Sequence, residues 1–135
     1  MRRATIALFA AALSTGTGLA AAAAPPEEQI AKALDGRVAG EPRDCIQQRD
    51  IRSTRIIART AILYEMNNGT VYLNRPESGE AFLRSGLTLV TNTHSSQLCS
   101  IDIVRLYDAP ARFESGSIGL GDFVPYLKPK RSRPS

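Results

Sequence analysis

The spacing of apolar residues changes character several times along the chain. From Ala4 to Leu13 the residues are apolar apart from Thr5, and small residues follow up to Ala24. Between Glu27 and Leu34 (EEQIAKAL), Ile30, Ala31 and Leu34 recur at helical spacing. Two acids open the first turn and Gly36 follows as a stop, so one short helix is predicted there. A helix this short must dock to persist. Residues 37–44 read as a loop, broken by Gly40 and Pro42. From Ile51 the period falls towards two: IRSTRIIA and TAILYEM are β-branched and aliphatic strand candidates.

Asn67-Asn68-Gly69 then separates TAILYEM from TVYLN. Asn-Gly is the preferred two-residue type I′ hairpin turn, because both central residues need positive φ. With Asn68-Gly69 as the turn, Met66 faces Val71, Glu65 faces Tyr72 and Tyr64 faces Leu73. Ile62, Tyr64, Met66, Val71 and Leu73 then share a core face, and Leu63, Glu65, Tyr72 and Asn74 share the other.

Residues 75–86 (RPESGEAFLRSG) read as a long connection, LTLVT as a short strand and NTHSSQ as a polar loop. LCSIDIVRLYD is the longest strand candidate. Cys99, Ile101 and Ile103 lie on one face of it, and Leu98, Ser100, Asp102, Val104 and Leu106 on the other. Residues 109–117 read as a further loop, and SIGLGDFVPY closes the domain with Gly119 and Gly121 permitting close approach. The pattern has no internal repeat. It predicts a mainly β fold, a small antiparallel barrel or sandwich of five to six strands preceded by one short helix.

The first apolar run carries a different message. Arg2 and Arg3 precede it, no acid appears before Glu27, and small residues end it. That order is the pattern of a secretory signal peptide. Its ten residues fall short of the ~20 that a transmembrane span needs. The expected organisation is a cleaved signal peptide over residues 1–23, a single β domain over 24–127 and a basic disordered tail over 128–135. A cut after Ala22 or Ala23 is favoured, since Pro25 is a poor first residue. The first cysteine is Cys45, so a lipid-anchored N-terminal cysteine is excluded.

Charge changes the picture once these ends are set apart. The whole chain is +4, with 17 basic and 13 acidic side chains. Arg2, Arg3, Lys128, Lys130, Arg131 and Arg133 lie at the ends, which leaves a body of 11 basic against 13 acidic residues. A nucleic-acid groove is therefore not expected. The tail has no apolar anchor, so its expected contact with anionic surfaces is weak and salt-sensitive, and solvation is its default state.

The chain has two cysteines and one histidine, which excludes a zinc-finger array, a haem-attachment tract and a disulfide-dense toxin scaffold. Export places Cys45 and Cys99 in an oxidising compartment, where a bridge is the expected state. The alternatives are a metal site of Cys45, Cys99 and His94, lacking a fourth ligand and any C-x-x-C spacing, and a Cys99 nucleophile with His94 as base, lacking a thiol-enzyme signature.

Four stretches in order carry a resemblance: Asp44-Cys45-Ile46; Ile62-Leu63-Tyr64 followed by Tyr72-Leu73-Asn74; Leu98-Cys99-Ser100-Ile101-Asp102; and Leu120-Gly121-Asp122-Phe123-Val124-Pro125-Tyr126. The body resembles a family of small exported proteobacterial proteins with no established function. Typical members carry two further cysteines, at positions corresponding to residues 77–81 and 117–119, where this chain has none. The resemblance implies a compact β fold, export and a second disulfide lost, and it brings no substrate.

Candidates for chemistry are few. His94 is the side chain whose unperturbed pKa lies nearest neutrality, and a solvated loop histidine is the commoner case in such a setting. Asp102 shares a strand face with Val104 and Leu106, where a carboxylate is either a perturbed acid or base or a hydrogen-bonded structural group. Arg49, Arg52, Arg55 and Arg59 have near-helical spacing: partial helix over residues 47–60 would make them a cationic face, and a solvated charge set is favoured over an anion site. No nucleophile elbow, phosphate loop, H-E-x-x-H or dinucleotide fingerprint is present.

The expected function is binding: a non-enzymatic binding or accessory protein of the periplasm or cell envelope, without cofactor or metal. Its partner would be a small ligand or an envelope protein, held at an open face or at the loops over residues 75–86, 92–97 and 109–117. The alternatives are a small hydrolase or lyase using Asp102 with His94, and an envelope-associated protein anchored by the basic tail.

Overall fold

A computed structural model describes residues 16, 18 and 23–130. Most of the expected signal peptide, and Arg131 and Arg133 of the tail, lie outside the described residues. The body is mainly β, with one helix and three antiparallel sheets in a sandwich-like arrangement. In chain order the elements are α1 (Pro26–Ala33), β1 (Val38–Ala39), β2 (Cys45–Gln47), β3 (Ile51–Ile57), β4 (Ala61–Met66), β5 (Val71–Asn74), β6 (Thr88–Thr91), β7 (Gln97–Cys99), β8 (Ile103–Asp108), β9 (Phe113–Gly119) and β10 (Phe123–Leu127). Among the described residues ten strand segments stand where five or six are expected, because several are only two to four residues long.

The helix starts where Pro26 presets φ, with Glu27 and Glu28 in its first turn and Lys32 in its last. Ile30 and Leu34 bury their side chains against Ile57, Ala61, Leu63, Val71 and Leu73 of the largest sheet. The Arg75 guanidinium forks onto the Glu27 carboxylate at 2.8 and 2.9 Å, tying α1 to the chain just after β5. These two hydrogen bonds hold the Glu27 carboxyl below its ordinary pKa.

The largest sheet has the order β1-β10-β5-β4-β3, and β6-β8-β9 and β2-β7 form the smaller ones. The second core lies between the large sheet and the smaller ones, and contains Ile62, Tyr64, Met66, Tyr72, Leu98, Val104, Leu106, Ile118, Leu120 and Phe123. The large sheet is thus covered on both faces, which explains why β4 reads as a nearly continuous apolar run.

The β4–β5 hairpin forms, but one residue out of the expected register: Glu65 faces Val71, Tyr64 faces Tyr72 and Leu63 faces Leu73. Asn68 does not adopt positive φ, whereas Gly69 does at 87°. The loop is Asn67-Asn68-Gly69: Gly69 N donates to Met66 O and Met66 N donates to Thr70 O. This is a three-residue turn closed by a glycine bulge rather than a type I′ turn. A one-residue slip exchanges the faces of a strand. Val71 and Leu73 accordingly pack under α1, and Tyr72 enters the sandwich.

Three further expectations are corrected. LCSIDIVRLYD is not one strand: Cys99-Ser100-Ile101-Asp102 forms a turn between β7 and β8, with Ile101 89% exposed. Leu98, Val104 and Leu106 still face the core. The expected loop over residues 109–117 contains most of β9, which pairs with β8 through a bulge near Leu106, and the loop over 37–44 contributes β1, paired with β10. The arginines follow the strand expected from Ile51 and not its helical alternative. Arg49 lies in a short 3-10 turn, Arg52 and Arg55 in β3, and Arg59 (φ 57°) in the β3–β4 turn.

Candidate functional site

The sheets do not close into a barrel. β3 ends the large sheet and β6 ends the three-stranded one, and among the described residues no strand pairs with the outer edge of either. Between them lies a cleft of about 480 Å³, lined by Gln48, Ile51, Thr54, Tyr64, Leu87, Thr88, Leu89, Thr91 and Leu98. Ile51 and Thr54 come from β3, and Thr88, Leu89 and Thr91 from β6. Tyr64 of β4 and Leu98 of β7 are buried in its depth. Thr54, Thr88 and Thr91 are exposed, and Ile51, Leu87 and Leu89 are half-buried. At one end, Thr54 and Leu87 are shared with a smaller depression reaching Arg55, Ser85 and Gly86.

Tyr64 is the one ionisable side chain in the cleft lining. It is 2% exposed, and its ring meets Phe123 edge-on with centroids 5.6 Å apart. Its hydroxyl is buried with no hydrogen-bond partner among the described residues. Burial pushes its pKa above the ordinary value, so at neutral pH the group is an uncharged O–H donor without an acceptor. A buried polar atom in this condition is uncommon and costly. Gln48 braces the wall of the cleft, donating from Nε2 to Thr93 Oγ1 and to Gln97 O at 3.3 Å.

A second depression of about 420 Å³ lies beside the disulfide, lined by Arg43, Gln47, Asp50, Asn67, Asn68, Tyr72 and Gln97 among others. Its polar groups are mostly at the surface.

Cys45 and Cys99 are bonded to each other, as the cysteine count and expected compartment indicated. They face one another in the β2–β7 pair. Ser100 N donates to Asp44 O and Gln48 N to Ser96 O, so by alternation Cys45 and Cys99 occupy a non-hydrogen-bonded pair, where cross-strand side chains lie closest. The Cys99 N–H therefore points away from β2, and the Asp102 carboxylate accepts it at 2.7 Å. Asp102 N in turn donates to Cys99 O, closing the turn.

His94 is exposed in the β6–β7 loop. It and Asp102 flank β7 on opposite sides in sequence, no hydrogen bond joins them among the described residues, and neither lines the cleft. No cluster of three or more His, Cys, Asp or Glu side chains suited to a metal occurs among the described residues. Of the loops singled out from the sequence, residues 75–86 reach the depression adjoining the cleft, and residues 92–97 touch its wall through Gln48. Lys128 and Lys130 follow β10 as exposed residues. No helix among the described residues is long and apolar enough to cross a membrane.

Two features escaped the sequence reading. Tyr64 was placed on the core face, but its missing partner has no sequence signal. Asn74 is wholly buried, and its side chain clasps Gly121: Nδ2 donates to Gly121 O at 2.6 Å and Gly121 N donates to Oδ1 at 3.0 Å. A tyrosine-x-asparagine stretch and a leucine-glycine-x-phenylalanine stretch 47 residues apart thus meet as a brace. No family model, curated protein or solved structure matches the chain.

Proposed function

We propose that this chain is an exported, non-enzymatic binding protein whose ligand occupies the cleft between β3 and β6. The observation that carries the reading is the cleft itself, which lies where two sheet edges face each other without pairing and whose volume of about 480 Å³ falls within that of ordinary small-molecule sites, about 300–1,000 Å³. Export is supported by the signal-like order of residues 1–23 and by a disulfide, a bond that persists in oxidising compartments. Membership of the small exported family that the chain resembles is part of the same proposal.

The test is native mass spectrometry of the protein recovered from its own host's periplasmic fraction, beside a Leu89→Trp variant that fills the cleft with apolar volume. The expected result is a mass lacking the first 22 or 23 residues, both thiols blocked until reduction, and a small-molecule adduct present in the wild type and lost in the variant. A full-length mass with free thiols overturns export. An adduct retained equally by Leu89→Trp overturns the placement of the site.

A further inference from the structure

We infer that, the cleft being the binding site, its ligand is an extended peptide segment of alternating acidic and apolar residues, held by main-chain hydrogen bonds to the outer edges of β3 and β6. The backbone of the two edges, rather than their side chains, points to it. Along an antiparallel strand the N–H and C=O of successive residues turn to alternate sides. In β4, Met66 N donates towards β5, to Thr70 O, and Asn67 N donates the other way, to Asp50 O. Glu65, Leu63 and Ala61 therefore bond to their partners Ser53, Arg55 and Ile57 of β3. Thr54 and Ile56 are left with N–H and C=O directed out of the sheet.

The edge of β6 is built in the same way. Leu120 N donates to Asp102 O, which turns Val104 towards β9 and Arg105 towards its partner Val90. Leu89 and Thr91 then direct their N–H and C=O away from β8. The backbones of Thr54, Ile56, Leu89 and Thr91 have no further hydrogen-bond partner among the described residues. Thr54, Leu89 and Thr91 line the cleft, and Ile56 lines the depression that adjoins it. Two rows of unpaired main-chain groups thus converge on one opening, and a molecule whose own donors and acceptors repeat at strand spacing is another extended chain.

The side chains of an added strand alternate between the two faces of a sheet. Those turned into the sandwich meet Ile51, Leu87 and Leu89. Those turned the other way lie beside Arg55, which is exposed and has no ion-pair partner among the described residues, whereas Arg52 is engaged by Glu65. Across neighbouring strands opposite charges attract and like charges repel. A second copy adding its own β3 would set arginine beside arginine. Residues 128–135 of this chain bring four cations and two prolines, and proline cannot donate to a ladder. An acidic strand satisfies both the edges and Arg55.

The experiment titrates three capped peptides into the disulfide-intact chain at pH 7: EVEVEV, KVKVKV, and EVEVEV with every amide N-methylated. Binding is read from NMR shifts and hydrogen exchange of backbone amides. EVEVEV is expected to shift and protect the amides of Thr54, Ile56, Leu89 and Thr91, and to leave the exchange of Ser53 and Arg55, already bonded to β4, unchanged. It should bind about fivefold more tightly than KVKVKV, the cross-strand preference for opposite charge, and Arg55→Glu should reverse that order. The N-methylated peptide should not bind. Thr54→Pro removes an outward N–H that β4 does not use, so the strand is kept and EVEVEV should bind about fivefold more weakly.

Protection absent from all four amides at about 1 mM EVEVEV overturns the inference. Equal binding of the N-methylated peptide overturns it too, as does tighter binding of KVKVKV to the wild type. In each case the cleft reading is judged separately: it stands if the wild-type adduct is lost in Leu89→Trp and falls if the adduct is retained.

Discussion

Replacing Tyr64 by Phe should stabilise the ligand-free protein, a sign opposite to that of most core substitutions. The change deletes one oxygen. The ring stays where it is, 2% exposed and edge-on to Phe123, so the packing of the second core is preserved. What is lost is a buried hydroxyl with no partner, whose desolvation costs about 1–3 kcal/mol. Taking the lower end to allow for local relaxation, unfolding free energy should rise by about 1 kcal/mol and Tm by about 4 °C for a body of this size. Urea unfolding followed by circular dichroism at pH 7 measures the first quantity, with the m-value unchanged.

The same variant has a signature in alkali. Burial raises the Tyr64 pKa above its ordinary value of 10.0. Above that pH the unfolded state releases the tyrosine proton while the folded state keeps it, so stability falls as pH rises. The slope from this group approaches about 1.4 kcal/mol per pH unit. Tyr64→Phe removes that share, so the gap between variant and wild type should widen from pH 10 upward. A variant less stable than wild type by more than about 1 kcal/mol at pH 7 would refute the reasoning. The hydroxyl would then be satisfied in the folded protein.

Other consequences concern the braces around the site. Removing the disulfide by Cys45→Ala with Cys99→Ala should cost about 4 kcal/mol, from the chain-entropy relation for a loop closed across a separation of 54 residues. Urea titration with and without reductant checks it, and a loss below about 1 kcal/mol would contradict it. Asn74→Ala should cost about 2–4 kcal/mol, since it strands the Gly121 N–H and C=O in the interior. Hydrogen exchange should then show faster opening of the segment entering β10, and unchanged exchange there would be the contrary result. Gly69→Ala should cost about 1 kcal/mol through its φ of 87° alone, because a Cβ there meets nothing within 4 Å. A neutral effect in thermal unfolding would contradict it.

How far the sequence led can be seen element by element. The helix was legible because Ile30 and Leu34 are spaced one turn apart, and the central hairpin because Asn-Gly follows an apolar run. Its register was not, because Asn67 is as good a turn former as Asn68 and both loop forms end in a positive-φ glycine. The faces of β5 were therefore exchanged. β9 was hidden by Ser115, Gly116 and Ser117, residues of low strand propensity that pairing with β8 overrides. The disulfide was legible from two cysteines and the expected compartment. The cleft was not, since its lining comes from residues 48 to 98 on several elements and exists only once two sheet edges face each other. Asp102 drew notice as a carboxylate among aliphatic neighbours. The turn at residues 99–102 gives that carboxylate a backbone N–H to accept.

The measurement that bears most directly on the account is native mass spectrometry of the wild type beside Leu89→Trp. The account predicts a small-molecule adduct on the wild type that the variant has lost, because the indole fills the cleft between β3 and β6. An adduct carried equally by both proteins would contradict it.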